Sequence, residues 1–322
     1  MSLKMKVAAL AAVAALTLSG CSAANTNTDD NAASAVKICV YTHGDGGSFW
    51  SVAQKGAEQA GKDLGITVDY QGSTNDAAKQ ASTIEAGIAA GCNAIAASAP
   101  DPGAIKDAML KAQAAGIPTV TMNSGSAVFS ELGAFTHVGQ DEIIAGQQAG
   151  LKFNAMGVKH VLCPIQEANN VGLADRCKGL AETFNGKAEN FNLDGGLQDL
   201  TAASAKIKAA LQADSSIDAV FALNADIAAK AVLPAAEELG LALKIGTVDM
   251  SPEALDAIAA GKMEFAIDQQ QYAQGYMSVV LLYLNLTNGH SLGGGQPVYS
   301  GPGFVTKDNV AKVKDLVAAG TR

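Results

Sequence analysis

From Val36 onward, short apolar runs rich in β-branched residues alternate with longer segments whose apolar positions recur at helical spacing. The first series predicts strands over 37–41, 66–70, 94–97 and 119–122. Between them lie helices over 48–64 and 105–115, and one that carries Ala77, Ala81, Ile84 and Ile88 on a single face. Val52, Gly56, Ala60 and Leu64 repeat every fourth residue, and Gly65 follows as a residue that accepts the left-handed turn ending a helix. Asn75 is placed to cap the helix after it. The rhythm then restarts, with helices over 141–156, 170–184, 201–213, 227–239, 251–260 and 274–286. Strands are expected over 158–163, 219–223, 244–248 and 264–267. Gly293-Gly294-Gly295 and Ser300-Gly301-Pro302-Gly303 punctuate loops around a final strand or two. Strands alternating with helices imply parallel sheets covered on both faces. Two series of similar length imply an α/β chain of two doubly wound parallel-sheet lobes.

The chain's beginning has a different pattern. Lys4 and Lys6 precede an apolar run over 7–18, too short to span a bilayer, which ends in Leu18-Ser19-Gly20-Cys21. Residues 1–20 read as a secretory signal. The Leu-Ser-Gly-Cys ending resembles the bacterial lipobox, which implies cleavage before Cys21 and lipidation of its sulfur; an ordinary signal peptide is the alternative. Residues 21–35 are small and polar and read as a lipidated tether, so the folded part is expected outside the cytoplasmic membrane.

The formal net charge of −9 is not relieved by any basic cluster, which excludes a nucleic-acid footprint and disfavours an anionic ligand. Four cysteines follow the tether: Cys39, Cys92, Cys163 and Cys177. Cys163 and Cys177 flank a strand-to-helix turn and are candidates for a disulfide, whereas Cys39 and Cys92 read as small core residues. Their spacings fit no zinc pattern, so neither metal nor cofactor is expected.

In open parallel sheets a ligand lies beyond the carboxyl ends of the strands. The polar and aromatic residues collected there are Phe49, Trp50, Ser98, Asp101, Asn123, Glu167, Asn170, Asn224, Asp249 and Gln269. Amides, hydroxyls and carboxylates with one aromatic pair suit a neutral polyhydroxylated solute. Each has a plainer reading, because Asn and Asp at such junctions often only cap the next helix, as Asn75, Asn224 and Asp249 could. The glycines at 44, 46 and 47 match no phosphate-cradling motif, and Ser124 lacks a nucleophile-elbow frame. His43 and His137 show no obvious serine or cysteine partner, so no catalytic constellation emerges. Asp101 with Asp249 or Glu167 would be the carboxylate pair for glycoside hydrolysis.

Several short motifs occur together in order: Gly47-Ser48-Phe49-Trp50, Ala99-Pro100-Asp101, Val138-Gly139-Gln140-Asp141 with Ala145-Gly146, and Arg176 ahead of Gly179-Leu180. Phe221 to Asp226, Gly246-Thr247-Val248-Asp249 and Ile267-Asp268-Gln269 complete the set. From Val36 to about Val313 the chain resembles the type I periplasmic sugar-binding proteins, the ribose- and galactose-type receptors of ABC importers. That resemblance implies two lobes joined by three hinge strands, over 36–139 with 272–298 and over 140–271 with 299–322. It implies that Phe49 and Trp50 sandwich a sugar ring, that Asn224, Asp249 and Gln269 are polar ligands, and that Ser98 and Asp101 occupy the third-strand position. Two positions depart from the family: its Asp-Arg after the fourth strand is Asn123-Ser124, and an arginine two residues before Arg176 is Ala174. Both changes remove charged hydroxyl clamps and let Glu167, Asn169 or Asn170 substitute. The ligand is then a pentose, a hexose or a polyol, and the partner a membrane ABC permease. The receptor is expected to be a monomer without enzymatic activity. A sugar sensor for a signalling receptor, or a binder of a nucleoside, is the alternative.

Overall fold

A computed structural model describes residues 36–322. The leader, Cys21 and the tether lie outside the described residues. Strands β1 (Lys37–Thr42), β2 (Thr67–Gly72), β3 (Ala94–Ser98), β4 (Thr119–Met122) and β5 (His137–Gln140) build a first sheet. Strands β6 (His160–Ile165), β7 (Lys187–Asn192), β8 (Ala219–Ala222), β9 (Lys244–Val248) and β10 (Phe265–Asp268) build a second. The last strands, β11 (Val298–Gly301) and β12 (Gly303–Thr306), add one edge to each, giving the orders β11-β5-β4-β3-β1-β2 and β12-β10-β9-β8-β6-β7. All pairings are parallel except β12 against β10.

The first sheet shows why the pattern folds this way. Ile38 and Val40 of β1 face the helices Gly47–Leu64 and Gln271–Asn288, meeting Ala53, Ala57, Val279 and Leu282. Cys39 and Tyr41 point to the opposite face, against Ile84 and Met109 of the helices Ala77–Ala89 and Pro102–Ala114. Burial on both faces needs a continuously apolar strand, which β1 supplies. The two helices on the first face lie close because a Cβ at Gly275 would collide with the Ala53 carbonyl.

The chain crosses between sheets after β5, after β10 and between β11 and β12, at Gly301-Pro302. The helix Gln271–Asn288 therefore packs on the first sheet although it follows β10, and β11 keeps the chain in that sheet as far as Gly301.

Several expectations change. The cap of Ala77–Ala89 is Asp76, whose Oδ1 accepts from Lys79 N, and not Asn75, which sits at φ 61° and donates its N–H to His43 O. Strands β5 and β7 were absent from the sequence pattern. β7 is a half-exposed polar edge strand paired only with β6, and β5 is four residues with a single large apolar side chain. The helix expected over 227–239 starts at Ala225 and widens into a π turn at Ala228–Val232. That turn precedes Pro234, which has no N–H to donate to a regular ladder.

Cys39 and Cys92 form a disulfide, correcting their reading as isolated core thiols. Pairing of β1 with β3 brings Cys92, two residues ahead of β3, to a Cα separation of 5.9 Å from Cys39. Cys163 and Cys177 are joined as well. Closing that loop of 14 residues stabilises the fold by about 3 kcal/mol in the chain-entropy picture. Cys163→Ser with Cys177→Ser is therefore expected to lower the urea midpoint, with an m-value no smaller than the parent's because the unfolded chain is released, whereas a midpoint equal to the parent's would mean the bridge constrains nothing.

Candidate functional site

The carboxyl ends of both sheets face one another across a cavity of about 320 Å³. The loop after β1 contributes His43 to Trp50, and Asn123 follows β4. From the second sheet come Gln166 and Glu167 after β6, Asn224 after β8, Asp249 after β9 and Gln269 after β10. Asn123 and Asp249 hold φ of 63° and 71°, left-handed values that their short polar side chains tolerate better than most. Such strained positions gather where a side chain must be aimed.

On the first lobe, Trp50 packs edge-to-face against both Phe49 and His43, with ring centroids 4.7 and 4.8 Å apart. Gly44 lies beneath the indole, where any Cβ would overlap it. Because Phe49 and Trp50 already touch, no slot is left between them for a ring. The expected sandwich is thus replaced by one aromatic wall, the reason being that neighbouring residues on a helix diverge in direction. His43 does have a serine partner: its backbone N and its Nδ1 each lie 2.8 Å from Ser98 Oγ. That hydroxyl is fully buried and also meets Gln80 Nε2, so it positions His43 and is not a nucleophile. His137 is equally internal, bonded to Thr121 Oγ1, and burial pushes its pKa down to about 3.

On the second lobe, Arg176 is 3 % exposed and donates two N–H groups to the Glu142 carboxylate, at 2.5 and 3.0 Å. A third donor reaches Leu223 O at 3.1 Å. Burial works against its charge, but Glu142 alongside outweighs this and keeps the guanidinium pKa raised. Asp249 accepts from Gln269 Nε2 at 2.5 Å and from Asn224 Nδ2 at 3.3 Å. Burial pushes its carboxyl up to about 7, although Arg176 and Gln269 pull the other way. Glu167 behaves oppositely: burial alone would raise it, yet His43, Asn170 and Arg176 together hold it below the usual carboxylate range. Its Oε2 accepts from Asn170 Nδ2 at 2.6 Å and lies 3.6 Å from His43 Nε2, a link across the lobes. Ser48 Oγ to Asp226 Oδ2 at 3.0 Å is a second such link, and Val171 N to Pro100 O at 2.9 Å a third.

Phe49, Trp50, Asn123, Glu167, Asn170, Asn224, Asp249 and Gln269 therefore share one cavity. Ser98 and Asp101 do not. Ser98 lies behind His43, and Asp101 Oδ1 accepts from Ala104 N as the cap of Pro102–Ala114. Asp101 and Asp249 consequently line different cavities, whereas Asp101 and Glu167, the other carboxylate pair, both line a second one. The pattern of residues missed His43, Asp226 and Arg176. Arg176 carried a usable signal, since it is one of only two arginines in the chain and falls on the apolar side of its helix. Among the described residues, His160, Glu189 and Asp214 also converge, but Lys187 Nζ sits 2.5 Å from Glu189 and meets their charge.

Residues 38–290 match the family described as periplasmic binding protein domain. The chain is similar to a carbohydrate transporter from Acidothermus cellulolyticus 11B, solved in complex with myo-inositol. The two are 39% identical, with a TM-score of 0.85, over 89% of this chain and 99% of that one. It is 26% identical over 327 residues to the D-galactose/methyl-galactoside binding periplasmic protein of Haemophilus influenzae, covering 96% of this chain and 95% of the relative. It also resembles an arabinose binding protein from Geobacillus stearothermophilus, 25% identical with a TM-score of 0.67, over 86% of this chain and 98% of that one.

Proposed function

Because the chain belongs to the periplasmic binding protein family, we propose that it is the extracytoplasmic substrate-binding protein of an ABC transporter and closes on a small neutral sugar or sugar alcohol. The observation that carries this reading is the cleft's chemistry: one aromatic wall at Trp50 facing the linked acceptors and donors of Asp249, Asn224 and Gln269. Vicinal hydroxyls fit that set, and a ring's C–H face fits the indole. The cleft's two basic side chains are already engaged, Arg176 by Glu142 and Lys230 by Asp226 at 2.9 Å, which leaves little to attract an anionic solute. The relative of Acidothermus cellulolyticus, with its bound myo-inositol, favours a cyclic polyol. Closure without chemistry would present a surface to the permease, and lipidation at Cys21 would hold the receptor at the membrane. Cys21→Ala is expected to release the protein into the soluble fraction after fractionation; retention with the membranes would remove the anchor.

A thermal-shift screen of the 36–322 fragment against aldoses, ketoses, cyclic and open-chain polyols, nucleosides and amino acids tests the ligand class, since a native-state ligand raises Tm by mass action. Silence from every sugar and polyol, with a shift from a nucleoside or an amino acid, would overturn it. Trp50→Ala is expected to weaken binding of the hit by about 2 kcal/mol while leaving the fold intact. Unchanged affinity by calorimetry would mean that the indole is not the ligand's platform.

A further inference from the structure

We propose that Gln274 is a positioning residue for solute binding: from outside the cavity it ties two of the three interlobe crossings together and turns the Gln269 amide so that its Nε2 donates to Asp249. This rests on reading the cleft as a solute site. Gln274 is fully buried in the first turn of the helix Gln271–Asn288 and is not among the residues that line the cavity. The chain leaves β10 for the first lobe through Gln269 and Gln270, and Gln270 holds φ of 57°, a left-handed value costly for its side chain. It returns to the second lobe through Ser300 and Gly301. Gln274 Nε2 reaches both crossings, donating to Gln269 O at 2.8 Å and to Ser300 Oγ at 3.2 Å. Ser300 Oγ spends its own hydrogen on Gln269 O at 2.8 Å, so towards Gln274 it can only accept.

A glutamine amide can turn by half a revolution and exchange its donor end for its acceptor end, so its neighbours decide which end points where. The first neighbour in this chain of contacts has no choice. The Gln269 carbonyl can only accept, and it draws the Nε2 of Gln274. That nitrogen also faces Gln269 Oε1 at 3.3 Å, and Asn123 Nδ2 approaches the same oxygen at 3.4 Å from the first lobe. With donors on that side, Gln269 turns its own Nε2 to Asp249 Oδ1, 2.5 Å away. A reversed Gln274 would set its Oε1 against three oxygens. The orientation it keeps leaves that Oε1 without a partner among the described residues, a cost borne at a fully buried position. Contacts thus run unbroken from the two crossings, through Gln274 and Gln269, to the carboxylate that meets the solute.

The test compares the 36–322 fragment with Gln274→Met, whose unbranched side chain fills similar space but donates no N–H. Heteronuclear NMR reads the Gln269 side-chain amide without any solute present. In the parent its protons are expected to exchange with solvent about tenfold or more slowly than those of exposed glutamines, and in Gln274→Met that protection is expected to be lost. A merely structural role would lower the urea midpoint and leave the Gln269 amide protected. Calorimetry with myo-inositol, the solute bound by the Acidothermus cellulolyticus relative, is expected to show about tenfold weaker binding by the variant, the worth of one misdirected hydrogen bond. Gln274→Ala serves the same comparison if urea unfolding shows that Gln274→Met does not fold. A Gln269 amide that stays protected in the variant, one that exchanges freely in the parent, or parent-like affinity for myo-inositol in a variant whose amide is freed overturns the proposal. Silence of the parent towards myo-inositol counts against a cyclic polyol as the solute, and the amide signal then decides the role of Gln274 by itself.

Discussion

Arg176→Met is expected to destabilise the protein by about 3–5 kcal/mol, the usual cost of leaving one member of a buried ion pair alone. Glu142 is 3 % exposed, and among the described residues its carboxylate receives a side-chain hydrogen bond, apart from those of Arg176, only from Gln140 Nε2 at 2.8 Å. Removing the guanidinium also strips the Leu223 carbonyl of a donor. The unpaired carboxyl then favours its protonated form, and a folded-state pKa above the unfolded one gives stability that is present at low pH and lost as pH rises. The deficit should therefore shrink on acidification. Adding Glu142→Leu should recover most of the loss, because two apolar groups need no charge compensation. Equilibrium urea unfolding at several pH values decides it: an Arg176→Met deficit under about 1 kcal/mol would mean that the pair does not brace the second lobe.

Asp249→Ala is expected to weaken solute binding by about 2–5 kcal/mol, because Asn224 and Gln269 would lose their shared acceptor together with the solute's hydroxyls. Normal binding by the variant would reduce Asp249 to a structural carboxyl. The same group predicts a pH dependence. Its carboxyl titrates at about 7 in the unliganded protein, since burial disfavours the charge. Solute hydroxyls that donate to it favour the ionised form, so binding near neutral pH releases a proton and tightens as pH rises through 7. Calorimetry in buffers of different ionisation enthalpy reads this directly, and Asp249→Asn should abolish the release. For folding the sign is opposite. The raised pKa makes Asp249's contribution fullest below the unfolded carboxylate range, and it declines up to about pH 7.

Much of the scaffold was visible along the chain because burial is periodic there. β1 is apolar on both faces, and the helix Gly47–Leu64 repeats its small residues every fourth position. The elements that escaped notice are those whose residues owe their place to a neighbour. β7 gains its strand conformation from pairing with β6, and the Cys39–Cys92 bond depends on β1 lying beside β3.

The site was legible as a set of strand ends but not as a set of roles. An Asn or Asp at such a junction can serve the helix that follows, the space across the cleft, or both. Asp101 serves its helix, Asn224 caps Asp226 N while also donating to Asp249, and Asp249 is released for the cleft because Ser251 caps Pro252–Ala259. The sequence by itself determined the two βα series and the polar, acidic, aromatic-poor character of the strand ends, since each follows from local periodicity and residue type. Only the tertiary structure decided that His43 leans on Ser98 and reaches towards Glu167, that Phe49 and Trp50 form one wall, and that Arg176 faces the cleft on Glu142. Those relations join residues far apart in the chain, and the hydrogen bond each donor finds is chosen by the packing of two lobes, which no local pattern encodes.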